Sequence, residues 1–175
     1  DDLRAKDTNN IMIKYADDTL ILIPCYSTKS GSTSLDEEIN AIFEWSRKNE
    51  LPINEKKSLH MLFSFYTNTT CRCQKPKITL PSCNKICYLG VFFQSNLRFG
   101  FHVNNILINI NKLSYIFRDL IINRVSQSNI DKIYESIIIS RITYGLPVYG
   151  SNLSTLAPIQ EYLNKSLARR WTSKQ

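Results

Sequence analysis

Between two apolar stretches, Ile11–Lys14 and Leu20–Ile23, lies the block that most constrains this chain, Tyr15-Ala16-Asp17-Asp18. Ile11, Ile13 and Tyr15 alternate with Met12 and Lys14, the period-two pattern of a half-buried strand. Leu20-Ile21-Leu22-Ile23 is a continuous apolar run, as in a strand covered on both faces, and it ends at Pro24. Strand, short tip and returning strand describe a β-hairpin with two adjacent carboxylates at its end. A solvated turn would account for the pair by itself, because Asp suits turn geometry. A divalent cation gives the pair a chemical reason, since Mg²⁺ takes oxygen ligands and usually bridges to substrate phosphates. Two such ions roughly 3.5–4 Å apart clamp the attacking and leaving oxygens of an in-line phosphoryl displacement.

At 175 residues the chain can hold one domain with a sizeable core, or two small ones. It carries a net charge of +7, which suits a polyanionic partner without specifying the fold. No run of eighteen apolar residues is present, which argues against a membrane span. The opening Asp1-Asp2-Leu3-Arg4 has neither an initiator Met nor a signal peptide, as expected of a piece of a longer chain. The five cysteines, Cys25, Cys71, Cys73, Cys83 and Cys87, are an odd number with no secretory context, which argues against a disulfide framework. Cys71-x-Cys73 with Cys83-x3-Cys87 is poorly spaced for a structural zinc site, and Cys87 sits in a strand pattern where cysteine behaves as a small hydrophobe.

After the hairpin comes a polar loop, then Ser34-Leu35-Asp36-Glu37, a capping box that opens an amphipathic helix over residues 35–49 with Leu35, Ile39, Ile42 and Phe43 inward. Leu59, Met61, Phe63 and Phe65 alternate as a further strand, and short strands are expected at Ile78–Leu80 and Ile86–Phe93. Beyond Gly100 the period becomes helical. Val103, Ile106, Leu107, Ile110, Leu113, Phe117, Leu120 and Ile121 line a long helix, Ser128 opens a second, and Ser154 caps a third. Thr143–Gly150 is a turn region rich in aromatics, Gly and Pro. The expected fold class is therefore α+β, with a composition shift near residue 98.

The order of these features resembles the C-terminal half of the reverse transcriptases, the RNA-directed DNA polymerases, of non-LTR, LINE-type retrotransposons. The resemblance runs over nearly the whole chain. The Tyr-Ala-Asp-Asp hairpin is followed by a helix with Trp45 near its end and then by Leu51-Pro52-Ile53-Asn54-Glu55-Lys56-Lys57-Ser58. Next come Tyr88-Leu89-Gly90-Val91, then Leu97-Arg98-Phe99-Gly100-Phe101-His102, then Thr143-Tyr144-Gly145. Each motif alone is weak, and their order and spacing carry the resemblance.

The resemblance implies an incomplete polymerase palm, an antiparallel sheet with a packed helix, over residues 1–98, and an all-helical thumb over 99–175. It implies Asp17 and Asp18 as catalytic residues and ligands of Mg²⁺ (or Mn²⁺), and Lys57 as the catalytic acid or electrostatic stabiliser of departing pyrophosphate. It implies that Tyr15, Tyr88, Leu89 and Gly90 contact nucleic acid. Partners would be an RNA template, a DNA primer, deoxynucleoside triphosphates, and the remaining palm and fingers of the same polypeptide. The setting would be an intracellular ribonucleoprotein, nuclear or cytoplasmic. His102 reads as a packing or capping residue, and Arg169, Arg170, Trp171 and Lys174 as a basic end that either frays or meets phosphate. Gln94 stands where the family usually has an acid. The family also needs a further Asp on a neighbouring strand, so the chain alone is expected not to polymerise. The alternative is a nucleic-acid-binding remnant of a decayed element.

Overall fold

The computed structural model describes residues 3–24, 35–63, 80–151 and 153–172, with side chains as far as residue 166. Cys25, Ser34, Cys71, Cys73, most of the Ile78–Leu80 strand and the basic C-terminal side chains lie outside the described residues. The chain divides into two compact units, Asp1–Cys83 and Asn84–Gln175. Each combines helix with a small antiparallel sheet, so the class is α+β.

In the first unit, β1 (Ile11–Tyr15) and β2 (Asp18–Leu22) form the expected hairpin, paired from Ile11↔Leu22 to Tyr15↔Asp18. The exposure of its faces reverses the sequence expectation. Ile11, Ile13 and Tyr15 are 57%, 43% and 62% exposed, while Met12 and Lys14 are half-buried. Cross-strand partners share a face, so Leu22, 38% exposed, and the half-buried Leu20 lie on the same side as Ile11 and Ile13. A two-stranded sheet needs a third strand or a packed layer to bury such a face, and the described residues supply none over it.

Helix α1 (Leu35–Lys48) fits its prediction within a residue, with Leu35, Ile39, Ile42 and Phe43 buried or half-buried. It ends in a Schellman motif: Leu51 N–H donates to the Ser46 carbonyl at 3.1 Å and Glu50 N–H to that of Arg47 at 3.4 Å. Glu50 takes the left-handed position, φ 55°. The strand expected from Leu59 is reduced, within the described residues, to a single parallel bridge, His60↔Ser82. The neighbouring Pro81 has no N–H with which to extend a ladder.

In the second unit, β3 (Lys85–Tyr88) and β4 (Val91–Gln94) make another hairpin, paired from Lys85↔Gln94 to Tyr88↔Val91. Cys87 is exposed there and not packed as a small hydrophobe. The long helix expected past Gly100 breaks into α2 (Gly100–Asn111) and α3 (Ser114–Ile122). At the break the Leu113 N–H reaches only three residues back, to Ile110, and the Ser114 hydroxyl takes the Asn111 carbonyl at 2.7 Å. That local bond competes with the helix ladder.

The second predicted helix begins one residue early, as α4 (Gln127–Tyr134), and passes through a π-helical turn, Glu135–Ile139, into α5 (Ser140–Thr143). Ile130, Tyr134, Ile138 and Ile142 recur every four residues. A regular 3.6-residue helix would rotate that row off the core, and the wider turn returns Ile138 and Ile142 to it. Short α6 (Leu146–Tyr149) and long α7 (Leu153–Thr172) follow. Ser154 lies inside the first turn of α7 and not before it. The core of this unit is Val103, Ile106, Ile110, Ile138, Ile142, Tyr149 and Ile159.

Candidate functional site

The Tyr15↔Asp18 pairing leaves only Ala16 and Asp17 as the loop of the first hairpin. Two-residue loops favour turns with positive φ because their twist matches that of the strands, and Ala16 supplies it at φ 51°. Alanine in that region carries a steric cost on the order of 1 kcal/mol. The tight loop forces Asp17 into the tip and Asp18 into the first strand position, both exposed. No salt bridge engages either carboxylate among the described residues.

What holds this hairpin was not foreseen from the sequence. Glu38, in the first turn of α1, is 1% exposed. Its carboxylate accepts the Lys6 N–H at 2.7 Å, the Asp7 N–H at 3.3 Å and the buried Asn10 amide at 2.9 Å. It thereby fixes the segment that delivers the chain into β1. Buried carboxylates are tolerated when donors satisfy them in this way, and the helix N-terminus adds favourable field. An acid on the apolar side of an amphipathic helix (Glu38 beside Ile39 and Ile42) was the available signal.

Lys57 lies in a turn organised by Asn54. The Asn54 carbonyl accepts the Lys57 and Ser58 N–H groups at 3.1 and 3.0 Å, and its side-chain oxygen also accepts Lys57 N–H at 3.2 Å. The Ser58 hydroxyl donates to the same carbonyl at 2.9 Å. The Asn-x-x-Lys-Ser spacing is thus a structural turn whose exposed product is the Lys57 ammonium. Tyr15, Asp17 and Asp18 share one hairpin tip, whereas Lys57 sits on its own turn in the same unit.

Tyr88, Leu89 and Gly90 belong to the second unit. Leu89 and Gly90 are the loop between Tyr88 and Val91, with φ 45° and 77°, the paired positive values of a type I′ turn. Leu89 and Gly90 are exposed, Tyr88 is half-buried, and its hydroxyl is buried without a partner among the described residues. Two residues on α2, Phe101 and His102, tie this hairpin to the helices. His102, 3% exposed, accepts the Phe92 N–H on Nδ1 at 3.3 Å and packs edge-on against Tyr149, ring centroids 4.8 Å apart. Burial holds the His102 imidazole below its ordinary pKa of 6.5. Gln94 accepts the Phe101 N–H at 3.1 Å, closing one of the free donors at the start of α2. Lys85 lies over the Phe101 ring, 4.1 Å from its centroid.

The Asp17–Asp18 pair fits a hard cation in the kind of donor it offers and falls short in number. Among the described residues no group of three or more His, Cys, Asp or Glu side chains gathers to hold a metal ion. Cys83 is a half-buried free thiol and Cys87 an exposed one; Cys71 and Cys73 lie outside the described residues. No described helix is long and apolar enough to cross a membrane.

The chain is 28% identical over 154 residues, 82% of its length, to the RNA-directed DNA polymerase from mobile element jockey of Drosophila melanogaster. It is 27% identical over 147 residues to the polymerase of the same name from Drosophila funebris. A third relative, "Probable RNA-directed DNA polymerase from transposon X-element" of Drosophila melanogaster, is 24% identical over 143 residues. The chain spans 16% of the length of each of these relatives. No protein-family model and no solved structure matches it.

Proposed function

The sequence relatives of this chain are RNA-directed DNA polymerases of Drosophila non-LTR retrotransposons, and from that kinship we propose that it is the C-terminal palm and helical thumb of such an enzyme. The observation that carries the reading is the tight hairpin that presents Asp17 and Asp18, exposed and without salt bridges among the described residues, in a chain alignable over 82% of its length. The reaction is attack of a primer 3′-hydroxyl on the α-phosphate of a deoxynucleoside triphosphate, directed by an RNA template, with pyrophosphate leaving.

In this reading Asp17 and Asp18 hold Mg²⁺ (or Mn²⁺) together with donors from the rest of the polypeptide. The ion, when bound, supplies neutralisation of charge on the reacting phosphate oxygens. Lys57 offers an ammonium to the departing pyrophosphate. Tyr15 supports the primer end, while Tyr88, Leu89 and Gly90 hold the primer backbone, with glycine allowing close approach. The enzyme works inside the cell within a ribonucleoprotein, in nucleus or cytoplasm.

The second reading is a nucleic-acid-binding remnant without catalysis. It is favoured by the absence of a third metal donor among the described residues and by the basic excess of residues 84–175, where eleven Lys and Arg face four acids. RNA-templated extension of a DNA primer separates the two. The first reading expects extension by the complete reading frame and none by the 175 residues alone. A complete frame that binds primer–template but never extends it supports the remnant, and extension by the isolated chain contradicts the half-built metal site.

A further inference from the structure

Two motifs far apart in the sequence, Tyr88–Val91 and Thr143–Gly145, meet turn against turn within the second unit. The Tyr144 hydroxyl donates to the Leu89 carbonyl at 2.6 Å. A side chain at Gly90 would bring its Cβ to 3.0 Å from Tyr144 Cε1, and one at Gly145 would bring it to 2.8 Å from Val91 Cγ2. Each glycine therefore makes room for the opposing turn. Tyr144 is extended and Gly145 left-handed, φ 71°, so the chain breaks between α5 and α6 where the ring must reach the hairpin.

The bond lands on a residue under strain. Leucine at φ 45° is disfavoured where Asn-Gly or Gly-Gly would be at ease. The Leu89 carbonyl belongs to a loop residue and is not engaged in the β3–β4 pairing. A hydrogen bond from outside the hairpin thus holds a turn whose own sequence does not favour its shape. Tyr144 is 57% exposed, so its ring adds little to the core and its position answers to the turn.

We propose that Tyr144 is a positioning residue that locks the Leu89-Gly90 turn to the helices, keeping its backbone in one shape for the sugar-phosphate backbone of a bound nucleic acid. The proposal rests on the reading of Tyr88–Gly90 as a primer contact and adds to it the group that sets the geometry of that contact. The turn then moves with α5 and α6 as a single piece.

The test uses the 175-residue chain and a fluorescent RNA–DNA hybrid with a recessed DNA 3′ end, together with amide exchange read residue by residue. Tyr144→Phe keeps the ring and removes the donor. Loss of one hydrogen bond should speed exchange at Val91 by about fivefold and weaken hybrid binding by a similar factor, with exchange in α2 unchanged. In that background Leu89→Asn creates an Asn-Gly loop that adopts the I′ turn unaided, and it should restore slow exchange at Val91. A residue that merely stabilised the bundle would not be rescued from the hairpin side. Unchanged exchange and affinity in Tyr144→Phe overturn the proposal, as does lost affinity with unchanged exchange, which would make Tyr144 a direct contact. A wild-type chain that fails to bind the hybrid overturns the primer reading beneath it, and the exchange data distinguish that failure from failure of the lock.

Discussion

Ala16, Glu50 and Arg124 sit at φ 51°, 55° and 55°, in backbone that glycine adopts without a steric cost. Glu50 and Arg124 both close Schellman motifs; in the second, Val125 N–H donates to the Leu120 carbonyl at 3.1 Å and Arg124 N–H to that of Ile121 at 3.0 Å. Glu50→Gly should therefore raise stability by about 1 kcal/mol, seen as a higher urea midpoint at unchanged slope. A lower midpoint would show that the Glu50 side chain has a role in the fold. Ala16 differs in lying at the tip that bears Asp17, and strained residues of that kind gather at functional sites.

His102 gives a pH dependence whose sign follows from its surroundings. Burial lowers its pKa in the folded chain below the ordinary 6.5, so the unfolded chain binds a proton first as pH falls. Its neutral ring, accepting from Phe92 N–H, is compatible with the fold throughout the range above 6.5. Stability is then full above that value and declines below it. Melting temperatures from pH 8 to pH 5 should fall for the wild type and more shallowly for His102→Gln. Parallel profiles would remove His102 as the cause.

At the scale of elements, periodicity located the first hairpin, α1 and the apolar faces of the helical half, because each pattern is local. It could not foresee that Ile11, Ile13 and Tyr15 face outward, since burial depends on what covers a sheet and not on the strand itself. Ile13→Thr, at a site 43% exposed, should change stability by less than about 0.5 kcal/mol. A large loss would mean that this face is covered in solution. The break before Ser114, the π turn and the Glu38 brace were less legible, because they depend on local hydrogen bonds, on register against the core, or on donors far away in the sequence. The candidate site was legible as residues, Asp17 and Asp18 above all, and not as geometry. The contact between Tyr88–Val91 and Tyr144-Gly145 is invisible until the chain folds. Gly145→Ala, with its Cβ 2.8 Å from a buried Val91 methyl and φ at 71°, should destabilise by roughly 1–3 kcal/mol. Thermal melts of the variant measure this directly, and an unchanged melt would contradict the packing of the two turns.

Across the whole molecule, charge and core are unevenly shared. Residues 1–83 carry eleven Lys and Arg against eleven acids, and residues 84–175 carry eleven against four. The entire net charge of +7 thus resides in the second unit, which also holds the cluster of buried apolar residues. Binding of an RNA–DNA hybrid should fall linearly in log K with log salt as condensed counterions are released. Binding insensitive to salt would contradict a phosphate-directed surface.

We propose that Asp17 and Asp18 form part of a metal-dependent polymerase site. The most direct test is RNA-templated primer extension by the complete reading frame, wild type against Asp17→Ala, at saturating Mg²⁺. Extension should fall by about a thousandfold or more, with hybrid binding retained. Extension at the wild-type rate in Asp17→Ala would contradict the proposal and leave the hairpin as a turn of the fold.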